Sequence, residues 1–445
     1  MQNDKTTLKD LSIFTSDGSG GVFALIDRAT TQAGREALRR HIQHPPDSAG
    51  HLADVQAVVK YWAANAHEWP QEISNGTLVM LEKFFDSADH VASPPTGITL
   101  LLSSFLQKLL NRNQFFFTQF SISHLSDFLK GCSRLVKLTE CGPLPGLLGR
   151  ELDILREGLE HRLADEIMAV TRETKYAELA RLNYLARREM KNMVHRLMLS
   201  YARLDAWRAM AVATTEHGWA FPELAPAQPL VFETAGLYHP LLHTPVPYRV
   251  SFSGGQNFLV LTGANMSGKT TFMRATGVAA LLAHLGMGVP AAALRISFMQ
   301  GIITNMHVED NILRGESYFY AEVQRMKHTA EKLLQDTPHL VLMDELFKGT
   351  NVHDAYECTK AVMEGLLHHN RHLMILSTHL YEVAHRFEGN AGIIFSYFET
   401  QLAADGSYNF TYQLKHGISN DRIGYRILQQ EGIINLLNQK VTGPE

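Results

Sequence analysis

The run Gly263-Ala-Asn-Met-Ser-Gly268-Lys269-Thr270 fits the pattern G-x-x-x-x-G-K-T, and its residue types suit phosphate. Glycines let backbone N–H groups turn inward around phosphate oxygens, and a helix starting near Lys269 presents its positive N-terminal end to them. Lys269 is placed to neutralise β- and γ-phosphate charge, and Thr270 to ligate Mg2+. Further on, the apolar run Leu340 to Met343 ends in Asp344-Glu345. Asp344 is placed to hold Mg2+, directly or through water, and Glu345 to orient and deprotonate an attacking water. Adjacent carboxylates at the end of a buried strand are poor design for stability alone, because buried charge needs a partner. Mg2+-bound nucleotide supplies one. A third apolar run, Leu373 to Thr378, ends at His379, which is placed to hydrogen-bond a γ-phosphate.

These residues need a sheet behind them. Phe258 to Leu261 reads as a buried parallel strand feeding the glycine loop, and binding at the carboxyl ends of parallel strands is expected of such sheets. The apolar stretch Gly277 to Ile296 is long enough to span a bilayer. It is interrupted by His284, Gly286, Gly288, Pro290 and Arg295 and follows directly on the loop, so it reads as a buried helix. Ile98 to Leu110 is too short to span. Just upstream of the loop lies a second glycine-rich run, Ser253-Gly-Gly-Gln256. In ABC-type ATPases a similar run falls between the phosphate loop and the carboxylate strand. Here it comes before the loop and reads as a turn entering the strand at Phe258.

The first half reads as helices. Leu152, Leu155, Leu159, Leu163, Ile167 and Val170 recur at helical spacing, as do Met193, Leu197, Tyr201, Leu204 and Trp207. Together they suggest a long helical hairpin from Leu147 to Thr215, whose mixed charges read as a solvated face. Composition changes near Phe221-Pro222, which puts a domain boundary at Ala225 to Pro229. A chain of 445 residues exceeds one ordinary core, and a net charge of -4 excludes a globally basic nucleic-acid coat. Cys132, Cys141 and Cys358 form no CxxC pair and read as free thiols in a reducing compartment. The N-terminal residues lack the apolar core of a signal peptide, so the expected location is cytoplasmic, with no membrane partner. Neither His368, His369 and His372 nor His239 and His243 has the spacing of a zinc site.

Taken together, GANMSGKTTFMRATG, Val289-Pro-Ala291, DELFKGTN and Ser377-Thr-His379 resemble the ATPase domain of the MutS family. Its usual phosphate loop reads GPNMxGKST, its carboxylate motif DEIGRGTS and its later strand ATH. Leu11 to Pro46 is similar to the start of that family's helical core, Glu216 to Leu242 to its join with the ATPase domain, and Leu414 to Ile433 to its C-terminal dimerisation helices. The resemblance implies roles by position. Gly263, Asn265, Gly268, Lys269, Thr270 and Thr271 match the ATP-binding loop, with Thr270 and Asp344 on Mg2+. Glu345 matches the catalytic carboxylate and His379 the switch histidine. Gly349, Thr350 and Asn351 match a loop at the dimer seam. Ser317, in GESYFYAE, matches a serine that reaches the partner subunit's γ-phosphate, and Glu322 an acid of the same signature. Two composite ATP sites per homodimer are implied.

The expected fold is multidomain, α followed by α/β. Residues 1–10 form an N-terminal tail, 11–227 an all-α core and lever domain, 228–415 an ABC-class P-loop ATPase domain with a mainly parallel sheet, and 416–445 C-terminal dimerisation helices. Little precedes the core, so the family's mismatch-reading and connector domains are expected to be missing. The hairpin Leu147 to Thr215 runs through the place of its DNA clamp, which is expected to be reduced or absent, and no C-terminal nuclease-like domain is expected. The implied protein is a homodimeric ATPase that opens and closes on DNA, or in a repair or recombination setting. It selects DNA by structure rather than by mismatch and works with a protein partner not yet identified. The rival is a nucleotide-switched protein-binding scaffold with slow or no hydrolysis and no direct DNA role. A transporter subunit is disfavoured by the misplaced SGGQ.

Overall fold

The computed structural model describes residues 4–15, 20–87, 112–252, 255–306, 318–335, 337–402, 408–419, 433 and 437. The chain divides into two compact units, Met1–Leu25 with His44–Leu52 and Gly218–Glu445, and Ile26–Gln43 with Ala53–His217.

Within the second unit the described regular elements are helices. Its organising element is Lys191–Glu216, which buries Val194, Leu197, Tyr201, Leu204 and Trp207 at the expected spacing. Asp205 lies buried among them. Its carboxylate accepts the backbone N–H groups of Thr30 and Thr31 at 2.9–3.1 Å and both of their hydroxyls at 2.7–2.9 Å. This ties the start of helix Gln32–Gln43 to the long helix and leaves no room at Gly34, where a Cβ would stand 2.1 Å from Asp205 Oδ2. Trp62 and Trp69 (5.3 Å between rings) and Trp69 and Tyr201 (5.2 Å) continue the core. The stripe Leu152 to Val170 is not one helix. Gly146–Leu159 ends at Glu160, and a second helix, Ala164–Met168, follows. Gly158 lets Leu197 pack against it, since a Cβ there would meet Leu197 methyls at 2.7 Å. Leu163 and Ile167 remain buried after the break, so two short helices do the work expected of one.

The first unit carries the strands β1 (Glu223–Ala225), β2 (Phe232–Leu237), β3 (Tyr248–Phe252), β4 (Phe258–Thr262), β5 (Ala293–Ser297), β6 (Gly301–Asn305), β7 (His339–Asp344), β8 (Leu373–Ser377), β9 (Ile393–Leu402) and β10 (Tyr408–His416). The larger sheet has the order β10-β9-β4-β8-β7-β6 and is parallel throughout except for the β9–β10 pair. Strands β4, β6, β7 and β8 are buried at every position, which is why β4, β7 and β8 read as apolar runs rather than alternations. A smaller sheet has the order β1-β5-β2-β3. The turn at Gly255 (φ 88°) therefore joins two sheets, and Ser253 and Gly254 lie outside the described residues.

Residues 1–10 are not a bare tail. Lys5–Asp10 form a helix, capped by Asp4, whose Thr7 and Asp10 hydroxyl and carboxylate bond to β6. Asp10 accepts from Thr304 Oγ1 at 2.7 Å and pairs with Arg325 at 3.3 Å. Leu11 fills the notch left by Gly277, where a Cβ would lie 2.4 Å from it. The N-terminal residues to Leu25 thus belong to the sheet-bearing unit, and the division near the middle of the chain falls at Gly218 rather than at 227/228. The suspected span Gly277 to Ile296 is shared between helix Lys269–His284 and β5. Among the described residues no helix is long and apolar enough to cross a membrane. Ile98 to Leu110 and, apart from 416–419, 433 and 437, the proposed dimerisation segment lie outside the described residues.

Candidate functional site

The glycine loop leaves β4 through Gly263 (φ 135°), Met266 (φ 69°) and Gly268 (φ 110°) before helix Lys269–His284 begins. A Cβ at Gly263 would lie 3.1 Å from Ser267 Oγ and 3.3 Å from both the backbone N and O of Phe398, so the position is tight as well as left-handed and suits glycine. Gly268 caps the helix without a side chain. The first N–H groups of the helix therefore depend on other acceptors, an arrangement that suits phosphate. Lys269 is 4% exposed. Its ammonium donates to the carbonyls of Gly263 (2.8 Å) and Ala264 (3.1 Å) and lies 3.7 Å from Glu345 Oε1. Burial holds its pKa below the usual lysine value, against the attraction of Glu345 and Asp344.

β7 and β8 deliver the acidic side of the site. Thr270 Oγ1 donates to Asp344 Oδ2 at 2.6 Å, and Ser377 Oγ donates to Oδ1 at 2.5 Å. A hydroxyl and a carboxylate in contact are hard oxygen donors, and they fit Mg2+, which binds few protein ligands and keeps several waters. Glu345 follows in a left-handed conformation (φ 54°), with its N–H on Ser377 O at 3.0 Å. Its carboxylate meets His379 Nδ1 at 3.7 Å, Lys348 Nζ at 3.1 Å and Lys269 at 3.7 Å. His379 foremost, then Lys348 and Lys269, push the Glu345 pKa down to about 2, overcoming the opposite effect of burial. At 3.7 Å the His379 contact is longer than a hydrogen bond and attracts only when the ring is protonated. By distance, Lys348 is the firmer partner.

Asn265, Gly268, Lys269, Thr270, Thr271, Asp344 and Glu345 line one cleft of about 620 Å³. Lys348, Tyr248 and Tyr412 also line it, and nothing in the sequence singled them out. Tyr412 (φ 54°) sits where the β9–β10 register shifts, and its ring would lie 3.4 Å from a Cβ at Gly268. With Leu242 and Val246, the tyrosines give the cleft an apolar wall beside its charged one. That combination suits a nucleotide, with phosphates on one and an aromatic base on the other.

Gly263 and His379 are not among the lining residues, and neither are Gly349, Thr350 and Asn351. His379 is 53% exposed and meets the site through Glu345. Behind the cleft, the Glu322 carboxylate accepts the backbone N–H groups of Lys348 and Gly349, both at 3.1 Å. A Cβ at Gly349 would lie 2.6 Å from Tyr318, so that residue admits close packing of helix Tyr318–Leu333. Asn351 caps helix Val352–Leu366 by accepting from Asp354 N at 3.0 Å. Ser317 lies outside the described residues. Met266, Glu345, Phe347 and Tyr412 are non-glycine residues with positive φ, and all four belong to the cleft or to the loop behind it. Strain of this kind collects at functional sites. Away from the cleft, His339 and His372 stack at 5.7 Å. Among the described residues no group of histidine, cysteine or acidic side chains has the geometry of a metal site.

Residues 259–440 match the family model MutS domain V. The chain is 30% identical over 256 residues to DNA mismatch repair protein MutS of Treponema denticola, covering 54% of this chain and 28% of that protein. Its identity to DNA mismatch repair protein MutS of Treponema pallidum is 34% over 194 residues, 41% of this chain and 21% of the relative. A third similarity, 24% identity to DNA mismatch repair protein MSH7 of Arabidopsis thaliana, runs over 100% of this chain and 44% of that protein. The chain thus spans between a fifth and less than half of the length of these relatives.

Proposed function

Because the chain belongs to the MutS family through residues 259–440, we propose that it is an ATP hydrolase whose turnover opens and closes a homodimer. The observation that carries this reading is the meeting of Lys269, Thr270, Asp344 and Glu345 in one cleft at the carboxyl ends of β4 and β7. Lys269 turns from its loop carbonyls to the β- and γ-phosphates. Thr270 and Asp344 would hold Mg2+, which when bound would neutralise phosphate charge. Glu345 orients a water by accepting its hydrogen bond. The water oxygen bonds to the γ-phosphorus, the bond from phosphorus to the bridging oxygen breaks, and its electron pair leaves with ADP. The proton of the water passes to Glu345 and then to solvent. A carboxylate with a pKa near 2 is a weak base.

That low basicity is also what favours the rival reading, a nucleotide-switched scaffold with slow hydrolysis. Both readings need nucleotide binding, and calorimetry with Mg2+-ATP tests it. Wild type is expected to bind, and Lys269→Ala to lose binding. Equal binding by Lys269→Ala would contradict the assignment of the cleft.

In the dimer, Ser317 completes the partner's site and Gly349, Thr350 and Asn351 lie at the seam. Mixing Ser317→Arg subunits with Lys269→Ala subunits leaves one intact site per heterodimer, so ATPase is expected to return on mixing two inactive proteins. No recovery despite demonstrated subunit exchange would argue that each subunit works alone. The setting we propose is DNA repair or recombination in the cytoplasm, in line with the names of the relatives. The arginines of the helical unit argue for weak duplex binding, because Arg162, Arg181, Arg196 and Arg203 are each paired with a glutamate. Such binding should fall as salt rises, with branched DNA preferred over linear.

A further inference from the structure

We propose that Lys348 is a second phosphate-binding lysine of the cleft, held by Glu345 until the terminal phosphate of a nucleoside triphosphate takes it. The inference rests on the nucleotide reading of the cleft.

Lys348 lines the cleft together with Lys269, Thr270 and Glu345. Its ammonium lies 3.1 Å from Glu345 Oε2, while Lys269 lies 3.7 Å from Oε1, so two lysines flank one carboxylate. The backbone beneath Lys348 is fixed. Its N–H and that of Gly349 are both held by Glu322, and the preceding Phe347 is buried against the core. The Lys348 side chain is 38% exposed, so the ammonium can swing while its base stays put. Burial tends to lower its pKa, but Glu345 outweighs burial and the net shift is upward, so the group stays charged.

A terminal phosphate carries more charge and more acceptor oxygens than a single carboxylate, so it competes for such a lysine. A diphosphate lacks that group. Lys348 should therefore sense the difference between ATP and ADP, while Lys269, bonded to the loop itself, serves both.

The test compares Mg2+-ATP and Mg2+-ADP affinities by calorimetry for wild type, Lys348→Met and Lys348→Arg. Methionine keeps the unbranched stem without the ammonium and leaves the main-chain bonds to Glu322 in place. The expected result is that Lys348→Met weakens ATP about tenfold while leaving ADP within about twofold, and that Lys348→Arg restores most of the ATP affinity. A merely structural role would weaken both nucleotides alike. Equal losses for ATP and ADP, or no loss for either, with wild type binding both, would overturn the role of Lys348 alone. Failure of wild type to bind either nucleotide would take the cleft reading down with it.

Discussion

Asp205 and Glu345 are both carboxylates drawn out of water, and the two units hold them in opposite ways. Asp205, in the helical unit, is met by main-chain N–H groups and hydroxyls of Thr30 and Thr31, all neutral donors on one short turn. Burial raises its pKa in spite of them. Glu345, in the sheet-bearing unit, is met by His379 and two lysines, and its pKa falls. Donors fixed in the backbone cannot leave, so Asp205 locks two helices together. Side-chain cations can leave, so the environment of Glu345 changes with what enters the cleft. The same side-chain chemistry serves structure in one unit and, under the proposed function, a reaction in the other, and the difference lies in whether the partners can move.

Acid should separate the units most strongly. His284 is fully buried, its Nδ1–H donating to Ala280 O at 2.7 Å and its Nε2 accepting from Met299 N at 2.8 Å, so only the neutral ring fits. Burial pushes its pKa down to about 4, and the buried His372 and His239 likewise. The unfolded chain takes up protons below about 6.5, where the folded rings refuse them. Stability present above that pH is therefore lost as the pH falls toward 4, with His284 alone costing about 2 kcal/mol by pH 5. The raised pKa of Asp205 has the opposite sign: its contribution is complete at low pH and is lost as pH rises through the folded value. Hydrogen exchange at pH 7 and pH 5 should show protection falling first in the sheet-bearing unit. Earlier loss in the helical unit would break the comparison.

A smaller contrast should appear in urea. Asp205→Ala strands its buried donors and should cost about 3 kcal/mol, whereas Glu345→Gln should cost about 1 kcal/mol, because Lys348 and His379 can turn to water and Lys269 keeps the carbonyls of Gly263 and Ala264. Equal losses would mean that Glu345 is as structural as Asp205. The smallest effect belongs to the exposed ion pair Arg196–Glu157, where Arg196→Ala should change stability by less than about 0.5 kcal/mol. A larger loss would show that the charged helical surface contributes to the fold rather than simply meeting solvent.

The residues that begin and end the buried strands were legible because a strand buried on both sides must be apolar, which makes the polar residues at its end conspicuous. Phe258 to Leu261, the helix start at Lys269 and the pair Asp344-Glu345 all follow from that rule. Lys348 and Tyr412 did not show. Lys348 looks like any surface lysine until the left-handed turn at Phe347 aims the loop, and Tyr412 reaches the cleft only through a register shift in the β9–β10 pair. Asp205 reads as one charge in a mixed helix, because its partners lie 174 and 175 positions away. The break after Leu159 was hidden because two short helices can share a single apolar stripe. The N-terminal helix was hidden because nothing local marks Asp10 as a partner for Thr304 and Arg325.

Phosphate release from Mg2+-ATP by wild type and by Glu345→Gln, with ATP binding measured on the same preparations, addresses the central claim most directly. The account predicts turnover in wild type and a loss of about 100- to 10,000-fold in the variant, with binding retained, because the water loses its base while Lys269, Thr270 and Asp344 still hold the nucleotide. Turnover in Glu345→Gln close to that of wild type would contradict the assignment of Glu345, and with it the contrast between a fixed and a responsive buried carboxylate.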